Sequence, residues 1–312
     1  MLAAWQIGPV LAVATPAHGT INLTLLVEAA SGEYVLRAYR HHERTPVARE
    51  HAVIAHVIAR GLPAVGPIAL PSGETILDRN GRFYALFPRA HGIQVARSKI
   101  ATRHLAAMGE FLARIHIVLR DFPIEYAARR DFTIARDTTL AGIDQLEAAV
   151  QARPMLTELD RWVLIQLAGR RDWIAQSPFD TLPDISMLEQ QVIHGDYQET
   201  NLFFQDERVA AIIDWDQTYL ASRAWEVART LDLVCTFEEE ASRAFLDGYR
   251  AHAPLEPAAL DQAATCYGLM RAHDLWQYRA IYFEGNQRIQ QFVSHGAFVP
   301  LVERWAALKE LL

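Results

Sequence analysis

The chain has 312 residues, 51% of them hydrophobic and 21% charged, a balance that fits a globular protein long enough for two lobes. Its formal net charge of −7, with no long basic run, argues against nucleic acid as a partner. Cys235 and Cys266 stand apart with no C-x-x-C or His-rich spacing, so neither a zinc centre nor a disulfide framework is indicated and a cytoplasmic location is expected.

No Lys or Arg precedes Arg37, so Ala12-Val13-Ala14 reads as strand rather than as the end of an export signal. Pro16, His18, Gly19 and Asn22 interrupt the early apolar run too soon for a membrane-spanning helix, and no membrane partner is expected. Residues 10–15, 23–29 and 34–39 read as three strands, turned at 18–22 and at Ser31-Gly32. A helix follows, with Thr45 as N-cap, Pro46 at its first position and Gly61 closing it; Val47, Ile54 and Ile58 keep helical spacing on its buried face. Two more strand runs, 75–77 and 82–87, flank Asn80-Gly81, a strong hairpin signal. Pro88 and Gly92 then break regularity, which sets the expected boundary between an N-terminal lobe, 1–89, and a C-terminal lobe, 90–312.

Beyond that boundary the pattern is helical. Ser98 reads as the cap of a helix carrying Ile100, Leu105, Met108, Leu112, Ile115 and Leu119, and helical spacing returns around 155–169, 238–251, 258–283 and 297–311. The expected class is α+β: a small five-stranded antiparallel lobe followed by a larger helical lobe carrying a β-hairpin. No feature of the sequence speaks to oligomeric state.

That hairpin is the segment 191–217, QVIHGDYQETNLFFQDERVAAIIDWDQ. Apolar runs leave Asn201 and arrive at Asp214, and a turn at Glu207-Arg208 would set these two residues opposite each other at the open end. An amide oxygen and a carboxylate so placed suit a hard divalent cation. Asp196, just upstream, is then a carboxylate free to orient a hydroxyl, and the three residues are the parts of a kinase-type phosphoryl-transfer site. A G-x-x-x-x-G-K-[ST] loop and a G-x-G-x-x-G turn are both absent, which excludes a P-loop enzyme and leaves a dinucleotide fold unsupported.

His194-Gly195-Asp196, Asn201 and Asp214 at this spacing resemble the aminoglycoside phosphotransferase/choline kinase family of protein-kinase-like small-molecule kinases. The resemblance implies a bilobal protein-kinase-like fold, ATP and Mg²⁺ as cofactors, and a small-molecule hydroxyl as substrate. It makes Asp196 the catalytic base and Asn201 and Asp214 the metal ligands, with Asp216 as a further contact and His194 holding the catalytic loop. Tyr34-Val35-Leu36-Arg37 resembles the third strand of such folds, with Arg37 where a lysine is usual and Glu50 as its ion-pair partner. Gly19 and Asn22 match the family's phosphate-covering turn, which has one glycine fewer here, and the adenine is expected at Leu86-Phe87-Pro88-Arg89.

For the acceptor, Gln198-Glu199 in the catalytic loop resembles choline and ethanolamine kinases. Trp215, Trp225, Trp276, Tyr278 and Tyr282 are candidates for an aromatic cage around a cationic amino alcohol. Homoserine-like and aminoglycoside acceptors stay open, the latter through Glu226, Asp232 and Glu238-Glu239-Glu240. His273, Asp274, Trp276, Gln277 and Tyr278 are expected on one turn of the 258–283 helix, facing the acceptor. The competing readings are a regulatory pseudokinase, prompted by Arg37 and the glycine-poor turn, and a metal phosphohydrolase using His194 and Asp196.

Overall fold

The computed structural model describes residues 1–16, 23–185 and 188–312, so Gly19 and Asn22 lie outside the described residues. Five strands, β1 (Val10–Ala14), β2 (Leu23–Ala29), β3 (Gly32–Ala38), β4 (Leu77–Arg79) and β5 (Arg82–Pro88), form an antiparallel sheet in the order β1-β2-β3-β5-β4. Alternation along β5 explains the layering, because successive side chains point to opposite faces. Phe83, Ala85 and Phe87 face the helix α1 (Arg44–Ala59) and join the main core, whereas Leu86 packs with Val27, Leu36, Trp5 and Ile7 on the other face.

Helix α1 begins two residues ahead of expectation. Glu43 occupies the N-cap position and makes no side-chain cap, so Thr45 lies within the first turn. Gly61 does follow its end, at φ +80°, where a left-handed residue stops a helix. Val47 and Ile54 are buried as the spacing predicts, but Ile58 is exposed; the buried stripe runs instead through Glu50, Val53 and Val57.

The remaining helices are α2 (Thr102–Leu119), α3 (Arg136–Gln151), α4 (Glu158–Gln176), α5 (Arg223–Leu233), α6 (Glu239–Arg250), α7 (Pro257–His273), α8 (Trp276–Tyr282) and α9 (Leu301–Lys309). Ser98 does not cap α2: it sits in a separate 3-10 turn, and the Ala101 backbone N–H donates to His104 Nδ1 at 3.0 Å instead. Helices α2 and α6 meet backbone to backbone. A Cβ on Gly109 would lie 1.9 Å from the Phe245 carbonyl oxygen, and one on Gly248 would lie 2.1 Å from that of Ala106.

Two small sheets complete the helical part. Strands β6 (Gln190–Ile193) and β9 (Tyr219–Ser222) pair antiparallel, and β7 (Leu202–Gln205) pairs with β8 (Arg208–Ile212) as the expected hairpin. Residues 63–65 bind the hairpin to the sheet's side of the molecule: Ile212 N–H donates to the Pro63 carbonyl at 3.0 Å and Val65 N–H to the Ile212 carbonyl at 3.1 Å. Among the described residues, no helix is long and apolar enough to cross a membrane.

Candidate active site

The hairpin turn falls at Asp206-Glu207, both with positive φ (47° and 67°), not at Glu207-Arg208. Positive φ at both central residues is the primed turn whose twist matches paired strands. Together with a bulge between Phe203 and Phe204, it sets Leu202 opposite Ile212. Asn201 therefore faces Ile213, whose N–H donates to the Asn201 carbonyl at 3.0 Å, and Asp214 follows one residue beyond. Asp214 itself is left-handed (φ 66°), an uncommon conformation for a residue with a Cβ and one met at functional sites.

Arg37 projects from β3 to join the sheet to the hairpin. Its guanidinium bonds Glu50 Oε1 of α1 at 2.9 Å and Asp214 Oδ1 at 2.7 Å, and lies 5.9 Å from the ring centroids of both Tyr39 and Phe87. Phe87 also packs edge-on to His51, so its ring supports the arginine from below. Burial opposes the Arg37 charge, but Glu50 and Asp214 outweigh it and hold the guanidinium protonated. Burial pushes Glu50 up to about 7 despite Arg37, with Asp216 and Asp214 adding repulsion. Asp214 is raised too, by burial first, with Arg37 opposing and Asp216 adding to the rise. Two ion-paired carboxylates that both resist ionisation mark a site short of positive charge. Asn201 and Asp214 carry an amide oxygen and a carboxylate, donor types that a hard divalent cation takes, and among the described residues no group of three or more His, Cys, Asp or Glu is placed to hold a metal ion.

Asp196 lies across from this cluster, held by three side chains. Arg229 Nη2 donates to Oδ1 at 2.6 Å, while Asn201 Nδ2 and Gln198 Nε2 each donate to Oδ2 at 3.0 Å. Asn201 Nδ2 also reaches the Asp196 carbonyl at 2.8 Å, which orients the amide. Burial would raise this carboxyl, but the Arg229 charge, aided by these hydrogen bonds, brings it below the usual range. The group is a carboxylate at neutral pH, suited to orient a hydroxyl.

The loop around Asp196 is anchored from below. His194 Nδ1 accepts the Asp196 N–H at 3.2 Å and its Nε2 lies 3.1 Å from the Ile213 carbonyl, so the histidine holds backbone, as expected. Glu226 of α5, fully buried, accepts the His194 N–H at 3.1 Å and the Gly195 N–H at 2.5 Å, and its Oε2 lies 2.9 Å from His116 Nε2. Gly195 has φ +80°, and a Cβ there would lie 2.1 Å from the Gln217 carbonyl oxygen. Glu199 is buried and paired with Arg97, and Tyr197 donates to the Met108 carbonyl at 2.7 Å. Glu226 and Glu199 are thus committed to the loop rather than to an acceptor.

The aromatic cage does not assemble. Trp225 packs on Phe132 and Tyr267, Trp215 on His194, Tyr278 lies beneath Arg170, Tyr282 donates to Asp160, and Trp276 is exposed beside Phe292. Nor is 258–283 one helix. Asp274 ends α7 in extended conformation and its Oδ1 accepts the Trp276 N–H at 3.0 Å, starting α8 afresh. That break separates His273 and Asp274 from Gln277 and Tyr278, and Tyr278 is buried.

Glu226 was singled out from the sequence only as an acceptor contact, and Arg229 and Arg271 not at all. The signal available for the first two was a glutamate and an arginine on an otherwise apolar face of α5, where unpaired charge is rarely tolerated.

The curated relatives include the homoserine kinase of Xanthobacter autotrophicus, 30% identical over 84% of this chain and 79% of that protein. The homoserine kinase of Methylobacillus flagellatus is 26% identical over 88% of this chain and 83% of its own length. Among solved structures, spectinomycin phosphotransferase in complex with ADP and spectinomycin superposes with a TM-score of 0.67 at 13% identity, covering 98% of this chain and 95% of that one, a likeness of protein-kinase-like fold. A profile of the phosphotransferase enzyme family matches residues 13–261. The chain belongs to that family, and it is a small-molecule kinase with a hydroxyl-bearing acceptor.

Proposed function

We propose that the chain transfers the γ-phosphate of ATP, with Mg²⁺, to the hydroxyl of a small amino acid, homoserine before any other. The observation that carries the kinase reading is the meeting of Asp196, Asn201, Asp214 and Arg37 at the mouth of one hairpin. The acceptor reading rests on the homoserine kinases matched across most of their length. The scattered aromatic side chains give no support to a choline-like acceptor.

In this reading Asp196 orients the acceptor hydroxyl and receives its proton as the oxygen attacks phosphorus and ADP departs. Positioning dominates over basicity, which suits a carboxylate held below its usual range. Arg37 would meet phosphate oxygens, with Glu50 keeping its fork in place. Asn201 and Asp214 would hold a magnesium ion, whose chemistry is to neutralise charge on the phosphates. Residues 1–89 and 90–312 are proposed as the two lobes that enclose the cleft, with 86–89 beside the adenine.

The test is acceptor-dependent ADP release by purified protein across amino acids, amino alcohols, sugars and aminoglycosides. Release with L-homoserine well above the acceptor-free rate supports the reading. A preference for choline, ethanolamine or an aminoglycoside overturns the choice of acceptor, and no release with any acceptor overturns the kinase reading itself.

A further inference from the structure

We propose that Arg229 and Arg271 anchor the acceptor's carboxylate while Asp232 and Asp274 receive its ammonium, so that this chain selects an α-amino acid over the amino alcohol lacking the carboxylate. The proposal rests on the phosphotransferase reading above and supplies the chemistry by which the site would recognise its acceptor.

The groups form a continuous chain leading away from Asp196. Arg229, on α5, gives Nη2 to Asp196 at 2.6 Å, and its Nη1, although buried, has no hydrogen-bond partner among the described residues. One turn later on the same helix stands Asp232, whose Oδ2 accepts the Tyr267 hydroxyl at 2.9 Å. The Arg271 guanidinium, on α7, lies 3.9 Å from that same oxygen through Nε and donates from Nη1 to Asp274 Oδ2 at 2.8 Å. Its Nε likewise has no hydrogen-bond partner among the described residues. Tyr267 and Arg271 of α7 both meet Asp232 of α5, so the two helices contribute to one charged wall.

Arg229, Asp232, Arg271 and Asp274 are all partly accessible rather than sealed in the core. Fixed cations alternate with fixed carboxylates along this wall, a pattern complementary to a zwitterion. Two buried guanidinium donors without a partner are costly, and an acceptor carboxylate that meets them relieves that cost. An amino alcohol leaves both unmet. Sites built to hydrogen-bond a substrate group reject analogues lacking it by far more than sites that only lose contact area.

The experiment compares kcat/KM for L-homoserine with that for 3-aminopropan-1-ol, which differs only by the missing carboxylate. Wild type is expected to favour homoserine by at least about 100-fold. Arg271→Met is expected to collapse that ratio by tenfold or more, chiefly through KM for homoserine, and Arg271→Lys to restore part of it. Both constants come from one preparation, so a loss of folded enzyme cancels in the ratio. A homoserine preference that survives intact in Arg271→Met overturns the anchor and leaves the kinase reading standing. If homoserine is not a substrate, the same ratio is measured for serine against ethanolamine and threonine against 1-aminopropan-2-ol. A wild type that prefers the amino alcohols, or turns over only acceptors that are not amino acids, overturns the anchor.

Discussion

Glu50, Asp214 and Asp216 share the field of one guanidinium at Arg37, while Asp196 answers to Arg229. This division predicts separable losses. Asp214→Ala is expected to abolish metal-dependent nucleotide binding, whereas Asp196→Asn leaves binding near wild type and removes turnover. Calorimetric titration with a magnesium–nucleotide analogue, paired with turnover assays, distinguishes them; equal loss of binding in both variants contradicts the assignment. Arg37→Ala should cost about 2–4 kcal/mol of transition-state stabilisation, and Arg37→Lys clearly less. Wild-type kcat/KM in Arg37→Ala would remove the arginine from the phosphate site. Much of this cluster was legible in the sequence, because Asp196, Asn201 and Asp214 lie within one short segment at a fixed spacing, and Arg37 and Glu50 on adjacent elements. Arg229 and Arg271 were not, and Glu226 was read as an acceptor contact rather than as the loop's anchor, since their meaning depends on partners far along the chain, such as His116 opposite Glu226.

At the level of elements, α5 is the staple of the catalytic loop. The Glu226 carboxylate ties the start of that loop, at His194 and Gly195, to His116 in the last turn of α2. Glu226→Ala leaves two backbone N–H groups and His116 Nε2 unpaired in the core, and is expected to destabilise by about 3–5 kcal/mol, read from urea unfolding. A midpoint within error of wild type would mean that the loop is held otherwise. Strands and the Asn80-Gly81 hairpin followed from alternation and turn chemistry. Helices α3 and α5 were not anticipated; α5 is short and carries charge into its buried face at Glu226. The turn at Asp206-Glu207 was misplaced by one residue because Glu207, at its second central position, does not advertise positive φ as Gly, Asn or Asp does.

Across the whole molecule one hydrophobic cluster runs from Tyr39, Val53 and Phe87 through Met108, Tyr197 and Trp225 to Leu308. A single cooperative unfolding transition is therefore expected, and residues 1–89 expressed alone should not fold; two resolved calorimetric transitions would contradict this. His51 adds a pH term. It sits between the Tyr39 hydroxyl, 3.0 Å from Nε2, and Thr75 Oγ1, 2.7 Å from Nδ1. Burial first, then the Arg37 and Arg44 charges, lower it to about 4. A lowered folded-state value means its stabilisation is complete above the unfolded value near 6.5 and is lost as pH falls towards 4, up to about 3 kcal/mol. Urea midpoints measured between pH 7 and 4.5 should fall more steeply in wild type than in His51→Gln, and equal slopes would remove His51 from the acid response.

The central claim, phosphoryl transfer to an amino acid hydroxyl, is tested most directly by ³¹P–¹H correlation of the reaction of wild-type protein with ATP, Mg²⁺ and L-homoserine. The account predicts a new phosphomonoester whose phosphorus couples to the methylene protons beside the former hydroxyl, formed with one ADP per product and absent with Asp196→Asn. Phosphorus appearing only as inorganic phosphate, or no acceptor-dependent resonance at all, would contradict it.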